Sequence, residues 1–164
     1  MKSHGFTIYC DDIRSEIGGK ITLVGCYNGL MQIQGIIPVT IPKFGISVHL
    51  MIAELEQAIF ARPDIELIIY GTSEEIISST KIDLSNLTGS SIEVNNFSTP
   101  ILEVQKKLAD EKSEKFLSLN FNFLLSPINF EKEGFIRTRV KIGKKTLKIG
   151  SLMIISNSAL PSPI

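Results

Sequence analysis

Six basic residues fall between positions 137 and 148 of this 164-residue chain: Arg137, Arg139, Lys141, Lys144, Lys145 and Lys148. Guanidinium and ammonium groups at this density can hold phosphate, nucleotide or carboxylate oxygens, arginine as a bidentate fork. If Gly143-Lys144 forms a type II′ turn, Arg139 lies opposite Lys148 and Lys141 opposite Thr146. A like-charge cross-strand pair is destabilising, so the pattern predicts an offset from solvent, from a nearby carboxylate such as Glu131 or Glu133, or from an anionic partner. Removing Arg139 and Lys148 together would then slightly stabilise the free protein. The competing structural reading is edge protection, in which Lys and Arg keep a sheet from pairing with another chain. Phe130 and Phe135 are the aromatics at hand, too few for a base-stacking platform.

A second polar cluster is Asp11, Asp12, Arg14 and Glu16. Three carboxylates at a strand end are hard oxygen ligands of the kind Ca²⁺ and Mg²⁺ take. Strand alternation puts Asp11 and Asp12 on opposite faces, which works against one shared ion. The favoured role is structural, with Arg14 paired to a neighbouring carboxylate. His4 and His49 are the only histidines, and neither has zinc-site spacing. A Ser/His or Cys/His pair stays open, because such groups meet in space rather than in sequence. The chain has no G-x-S-x-G, P-loop or G-x-G-x-x-G, so no cofactor and no metal are expected.

These groups must be carried by strands. Residues 6–13 alternate apolar and polar, break at Gly18-Gly19, alternate again over 20–27, and break at Asn28-Gly29. That predicts a three-stranded meander, with a type I′ turn at Asn28-Gly29 and a return through 30–34. A two-residue turn at Gly18-Gly19 would set Cys10 against Tyr27 and Asp11 against Cys26. The two thiols would point to opposite faces and stay free, mostly buried, in a reducing compartment. Further strands are predicted at 44–53, 64–71, 75–84, 92–97, 116–125, 136–142 and 146–155. Pro38 and Pro42 confine 38–42 to an edge or loop. One helix is predicted over 98–112, capped by Ser98 or Thr99 with Pro100 in its first turn.

Turns every 8–12 residues and few helical patterns give an all-β fold with one short helix. The reading is an antiparallel β-sandwich of about 8–10 strands, a partly closed barrel being the alternative. One domain is expected over 1–156 with a frayed tail over 157–164. Apolar residues are 43% of the chain and Trp is absent, so the core must be mainly aliphatic. The total charge is zero, yet residues 1–80 carry 5 Lys/Arg against 9 Asp/Glu and residues 81–164 carry 12 against 8. Neutrality argues against general nucleic-acid coating, while the asymmetry allows one local basic surface and self-association as a homodimer. No apolar run approaches the length of a membrane span, and no secretory leader pattern is visible.

Tyr9-Cys-Asp-Asp-Ile-Arg14, Gly18-Gly19-Lys20, Thr22-Leu-Val-Gly25 and Tyr27 resemble the opening of a family of uncharacterised bacterial single-domain β proteins. Glu131 or Glu133 with Gly134, and Gly150-Ser-Leu152, are similar to that family's closing strands. The resemblance implies a β-sandwich from bacteria or their mobile elements and a cytoplasmic location, and carries no catalytic residue. Taken together, the expectation is a non-enzymatic cytoplasmic module that binds a partner protein or small anionic ligand through Arg137, Arg139, Lys141, Lys144, Lys145 and Lys148. The alternatives are a metal-dependent module or enzyme built on Asp11, Asp12 and Glu16, and a mobile-element accessory protein that sequesters a nucleotide.

Overall fold

A computed structural model describes residues 2–53, 65–82 and 116–157. The elements within them are twelve β-strands: β1 (His4–Cys10), β2 (Asp12–Ser15), β3 (Ile21–Val24), β4 (Leu30–Gln34), β5 (Val39–Ile41), β6 (Phe44–Ala53), β7 (Ile65–Tyr70), β8 (Ile76–Ile82), β9 (Phe116–Leu125), β10 (Ile128–Phe130), β11 (Gly134–Ile142) and β12 (Lys145–Asn157). The predicted helix over 98–112, the strand over 92–97 and the tail beyond Asn157 lie outside the described residues.

Two sheets enclose one core. The first has the order β1-β6-β9 and the second β4-β12-β11-β7-β8. All pairs are antiparallel except β12 with β4. Strand alternation explains the layering. Phe44, Ile46, Val48, Leu50 and Ile52 of β6 point inward and are fully buried. They meet Ile65, Leu67 and Ile69 of β7, Ile136, Val140 and Ile142 of β11, and Leu152 and Ile154 of β12. Period-two side-chain direction makes each strand one wall of a sandwich. The small pairs β2-β3 and β5-β10 complete the architecture, and no sheet closes into a barrel among the described residues.

The opening segment departs from the expected meander. Residues 6–13 are not one strand: the chain bends at Asp11, so β1 pairs with β6 while β2 pairs with β3. The loop after β2 is one residue longer than a two-residue turn, because the Glu16 amide donates to the Lys20 carbonyl at 2.8 Å. The register therefore pairs Asp12 with Val24 and Ile13 with Leu23, one position from the expected set. Asn28-Gly29 does not form a type I′ turn, since Gly29 alone has a positive φ of 78°. Instead the chain crosses to the other sheet, where β4 runs parallel to β12. A two-residue turn signal cannot show whether the next strand finds its local neighbour or a distant one.

β1 leans directly on β12 across the side of the sandwich. A Cβ built on Gly150 would lie 2.5 Å from Thr7 Cβ and 2.9 Å from the Tyr9 hydroxyl oxygen. The absence of a side chain there lets Tyr9 reach Thr138, whose hydroxyl it meets at 2.9 Å inside the core. Burial pushes the Tyr9 phenol up to about 12.

The cysteines are free, as expected, but differ in environment. Cys10 is buried and Cys26 is exposed, which corrects the expectation of two buried thiols. Cys26 follows the end of β3 rather than lying inside a strand. Burial, and then the neighbouring Cys26, push the Cys10 thiol up to about 11. Since the thiolate is the reactive form, iodoacetamide at neutral pH is expected to modify Cys26 rapidly and Cys10 only on unfolding. Mass spectrometry that found equal rates under native conditions would contradict this burial.

Candidate functional site

The basic residues sit on β11, β12 and their turn, with the register expected from the sequence: Arg139 opposite Lys148 and Lys141 opposite Thr146. Gly143, at φ 56°, supplies the positive dihedral that the two-residue turn needs. Arg137, Arg139 and Lys141 alternate with the buried Ile136, Thr138, Val140 and Ile142, so they face outward.

Two of these outward residues, Arg137 and Lys141, are paired with carboxylates. Arg137 pairs with Glu74 at 2.8 Å and Lys141 with Glu66 at 3.2 Å. Both carboxylates arrive from the neighbouring β7 and the turn after it, not from Glu131 or Glu133. Glu133 instead accepts from the backbone amide and hydroxyl of Ser156, both at 2.7 Å. The Ser79 hydroxyl, then Lys141, hold the Glu66 carboxyl below its ordinary range. The Arg137 hydrogen bond does the same for Glu74. These lowered carboxylates favour the folded state above the ordinary glutamate pKa and lose that effect as pH falls through their folded values. The pairs are solvent-facing, and each is a weak contributor to stability.

Arg139 behaves differently. Its guanidinium donates to the carbonyls of Thr138 at 3.2 Å and Gly150 at 3.5 Å. It lies opposite Ile68, an outward-facing residue of β7 that is nonetheless buried. The arginine stem flanks apolar surface there while its head reaches polar groups. Truncating Arg139 to alanine would remove cover from the Ile68 side, which is expected to oppose any stabilisation from deleting Arg139 and Lys148. Glutamine is the substitution that removes charge and keeps cover. Lys144 and Lys148 are exposed and have no carboxylate partner among the described residues.

A feature that sequence reasoning missed lies on the same outer face, toward the end of the hairpin away from its turn. Phe135 of β11 pairs with Met153 of β12, and Met153 pairs with Leu30 of β4. The three side chains form one row across three strands of the outer face, exposed by 40%, 40% and 41%. Arg137 lies over the Phe135 ring at 5.5 Å, linking the row to the basic residues. Each residue looks unremarkable in the sequence. The row exists only because β4 joins β12 in parallel, a long-range pairing that no local pattern signals.

Asp11 and Asp12 of the acidic turn pair with neighbouring side chains. Asp12 takes Arg14 Nε at 3.1 Å, Lys43 Nζ at 3.7 Å and the Ile13 amide at 3.1 Å. The Arg14 hydrogen bond leads in holding its carboxyl below the ordinary range. Asp11 accepts a hydrogen bond from the Tyr27 hydroxyl. Burial, and then that bond, raise the Tyr27 pKa. Glu16 is exposed on the loop after β2. The structure therefore does not gather Asp11, Asp12 and Glu16 around one point. No group of three or more His, Cys, Asp or Glu among the described residues could hold a metal ion.

Ser47 Oγ and His49 Nε2 lie 3.3 Å apart on the outer face of β6. Phe6 stacks on the imidazole with centroids 4.6 Å apart. Among the described residues no carboxylate orients the other ring nitrogen, so the nucleophile–base–orienter arrangement of a hydrolase is incomplete. No helix of the described residues is long and apolar enough to cross a membrane. Neither family models, nor curated proteins, nor solved structures give a match to this chain.

Proposed function

We propose that the protein is a non-enzymatic binding module of the cytoplasm, and that the outer face of the five-stranded sheet docks an acidic protein segment. The observation that carries this reading is that the exposed row Phe135–Met153–Leu30 shares the outer face of the β11–β12 hairpin with Arg139 and Lys148, Arg139 standing four residues from Phe135 along β11. Exposed apolar side chains in contiguous rows mark interaction surfaces. A basic margin selects acidic partners and steers their approach. The ion pairs to Glu66 and Glu74 leave the positive charge concentrated toward the β11–β12 turn. An acidic peptide with one or two apolar anchors satisfies both parts of the surface.

The test uses a fluorescent peptide of alternating Glu and Leu, titrated by anisotropy. Arg139→Gln with Lys148→Gln is expected to weaken binding about tenfold at low salt and to flatten its salt dependence. Met153→Ser is expected to weaken binding with the salt dependence kept. Unchanged affinity in both variants would remove the reading. Inorganic pyrophosphate is titrated in parallel. If it bound with the same dependence on Arg139 and Lys148, and Met153→Ser had no effect on either probe, a small anion would replace the peptide as the ligand.

A further inference from the structure

We propose that Cys10 and Cys26 form a reversible dithiol–disulfide pair, a modification site at which a small-molecule disulfide oxidises the folded chain and bridges the end of β1 to the segment after β3. The site is separate from the basic face and does not depend on the reading above.

The backbone sets the two residues against each other. The Tyr27 amide donates to the Tyr9 carbonyl at 2.8 Å, and the Asp11 amide donates to the Val24 carbonyl at 3.0 Å. These two bonds bracket Cys10 on one segment and Gly25-Cys26 on the other, which runs antiparallel to it. Two residues therefore oppose one, the count that defines a β-bulge. Gly25 holds φ 65°, and a Cβ on it would overlap the Asp11 carboxylate, so the extra residue has to be a glycine. The same carboxylate accepts from the Tyr27 hydroxyl and so spans the bulge.

The bulge changes what the thiols can do. A two-residue turn at Gly18-Gly19 would set Cys10 against Tyr27 and aim the thiols at opposite faces. In the structure Tyr9 and Tyr27 both turn inward, each with its ring centroid 6.2 Å from that of Phe44. Period-two alternation sends the adjoining residues, Cys10 and Cys26, to the opposite face together. Their place between the two bonds is a non-hydrogen-bonded one, where opposed Cα atoms stand about 4.5 Å apart. A disulfide spans about 4.4–6.8 Å, which leaves room for the widening that a bulge brings.

The two sulfurs sit in complementary environments. Cys26 is exposed, so a solute can reach it. Cys10 Sγ is enclosed: it donates to the Asp12 carbonyl at 3.4 Å, and a Cβ on Gly45 would lie 2.7 Å from it. The charge of Cys26 is the second cause, after burial, of the raised Cys10 pKa, which puts the thiols within electrostatic reach of each other. Two thiols on one face, one accessible and one shielded, suit the attacking and resolving roles of an exchange pair.

The exchange balances. The Cys26 thiolate attacks one sulfur of the small disulfide; a new S–S bond forms and one small thiolate leaves. Cys10 then gives its proton to water, and its thiolate attacks Cys26 Sγ and releases the second small thiolate. Two protein thiols are oxidised, one small disulfide is reduced to two thiols, and the two protons end on those thiols. Capping Cys26 also removes the negative charge that opposes Cys10 ionisation.

The experiment incubates the full chain in glutathione redox buffers and reads it by acid quench, alkylation and mass spectrometry, with wild type, Cys10→Ser and Cys26→Ser. Wild type is expected to lose about 2 Da as two thiols become one bridge, with the Cys10 and Cys26 peptides joined. The bridge is expected to be favoured at least about tenfold over that of the urea-unfolded chain in the same buffer, because the fold holds the thiols together. Cys10→Ser is expected to stop at a glutathione mixed disulfide on Cys26, and Cys26→Ser to stay unmodified while folded. A wild type that kept glutathione on Cys26 beside a free Cys10 would overturn the proposal. So would a bridge formed no more readily by the folded chain than by the unfolded one, or one formed only between chains. Both readouts come from wild type and hold whether or not the serine variants fold.

Discussion

Phe44→Ala is expected to lower the unfolding free energy by about 3–5 kcal/mol, the range for truncating a fully buried aromatic. Phe44 is fully buried at the start of β6 and joins several parts of the fold. Its ring meets Phe130 of β10 edge-on, with centroids 6.0 Å apart at 87°. It also lies 6.2 Å from Tyr9 of β1 and 6.2 Å from Tyr27, which follows β3. Among the described residues no other aromatic of the core contacts rings from three separate segments. The cavity left by alanine would be walled by strands held in their own sheets, so it cannot collapse easily. Urea unfolding measures the loss; a change below about 1 kcal/mol would mean that the end of the sandwich is not closed around this ring.

Gly150→Ala is expected to cost about 2–3 kcal/mol, although it adds one methyl group. The methyl would sit 2.5 Å from Thr7 Cβ and 2.9 Å from the Tyr9 oxygen, so β1 must move away from β12. That movement breaks the buried Tyr9–Thr138 hydrogen bond as well. The two effects share one cause, so they will not add. In a Tyr9→Phe background, which has already lost the hydrogen bond, Gly150→Ala is expected to cost about 1 kcal/mol less. Equal costs in both backgrounds would show that β1 and β12 are not coupled through the tyrosine.

How much of this was legible in the sequence depends on the range over which each feature is decided. β6 and β9 were readable to the residue, because their alternation is uninterrupted over ten positions and their inner faces are wholly apolar. The β11–β12 hairpin was readable too, with Arg139 opposite Lys148, because a glycine turn of known length sets the register by itself. The opening segment was misread because its signals are local while its partners are distant. β1 chooses β6 over the strand that follows it, and β4 chooses β12, which lies over a hundred residues away. The one-residue shift in the β2–β3 register came from a glycine pair that lies in a longer loop.

The same distinction separates the parts of the site. The basic residues were visible because charge and strand period can be read in a row. The carboxylates that neutralise Arg137 and Lys141 were not, because Glu74 and Glu66 lie 63 and 75 residues from them. The apolar row was invisible for the same reason, since its three members come from three strands. The acidic turn looked like chemistry because its carboxylates are close in sequence. Asp12 instead pairs with Arg14 and Lys43, and Asp11 accepts from Tyr27.

The central claim is that an acidic, apolar-anchored segment docks on the outer face of the five-stranded sheet. The most direct measurement is a chemical-shift map of the isotope-labelled full chain during titration with the Glu/Leu peptide. The account predicts that shifts concentrate on the Met153 and Leu30 methyls, Phe135, and the amides around Arg139 and Lys148. Absence of shifts up to about 1 mM peptide, where even weak specific binding would register, would contradict it. So would a shift pattern centred on β9 or on the acidic turn.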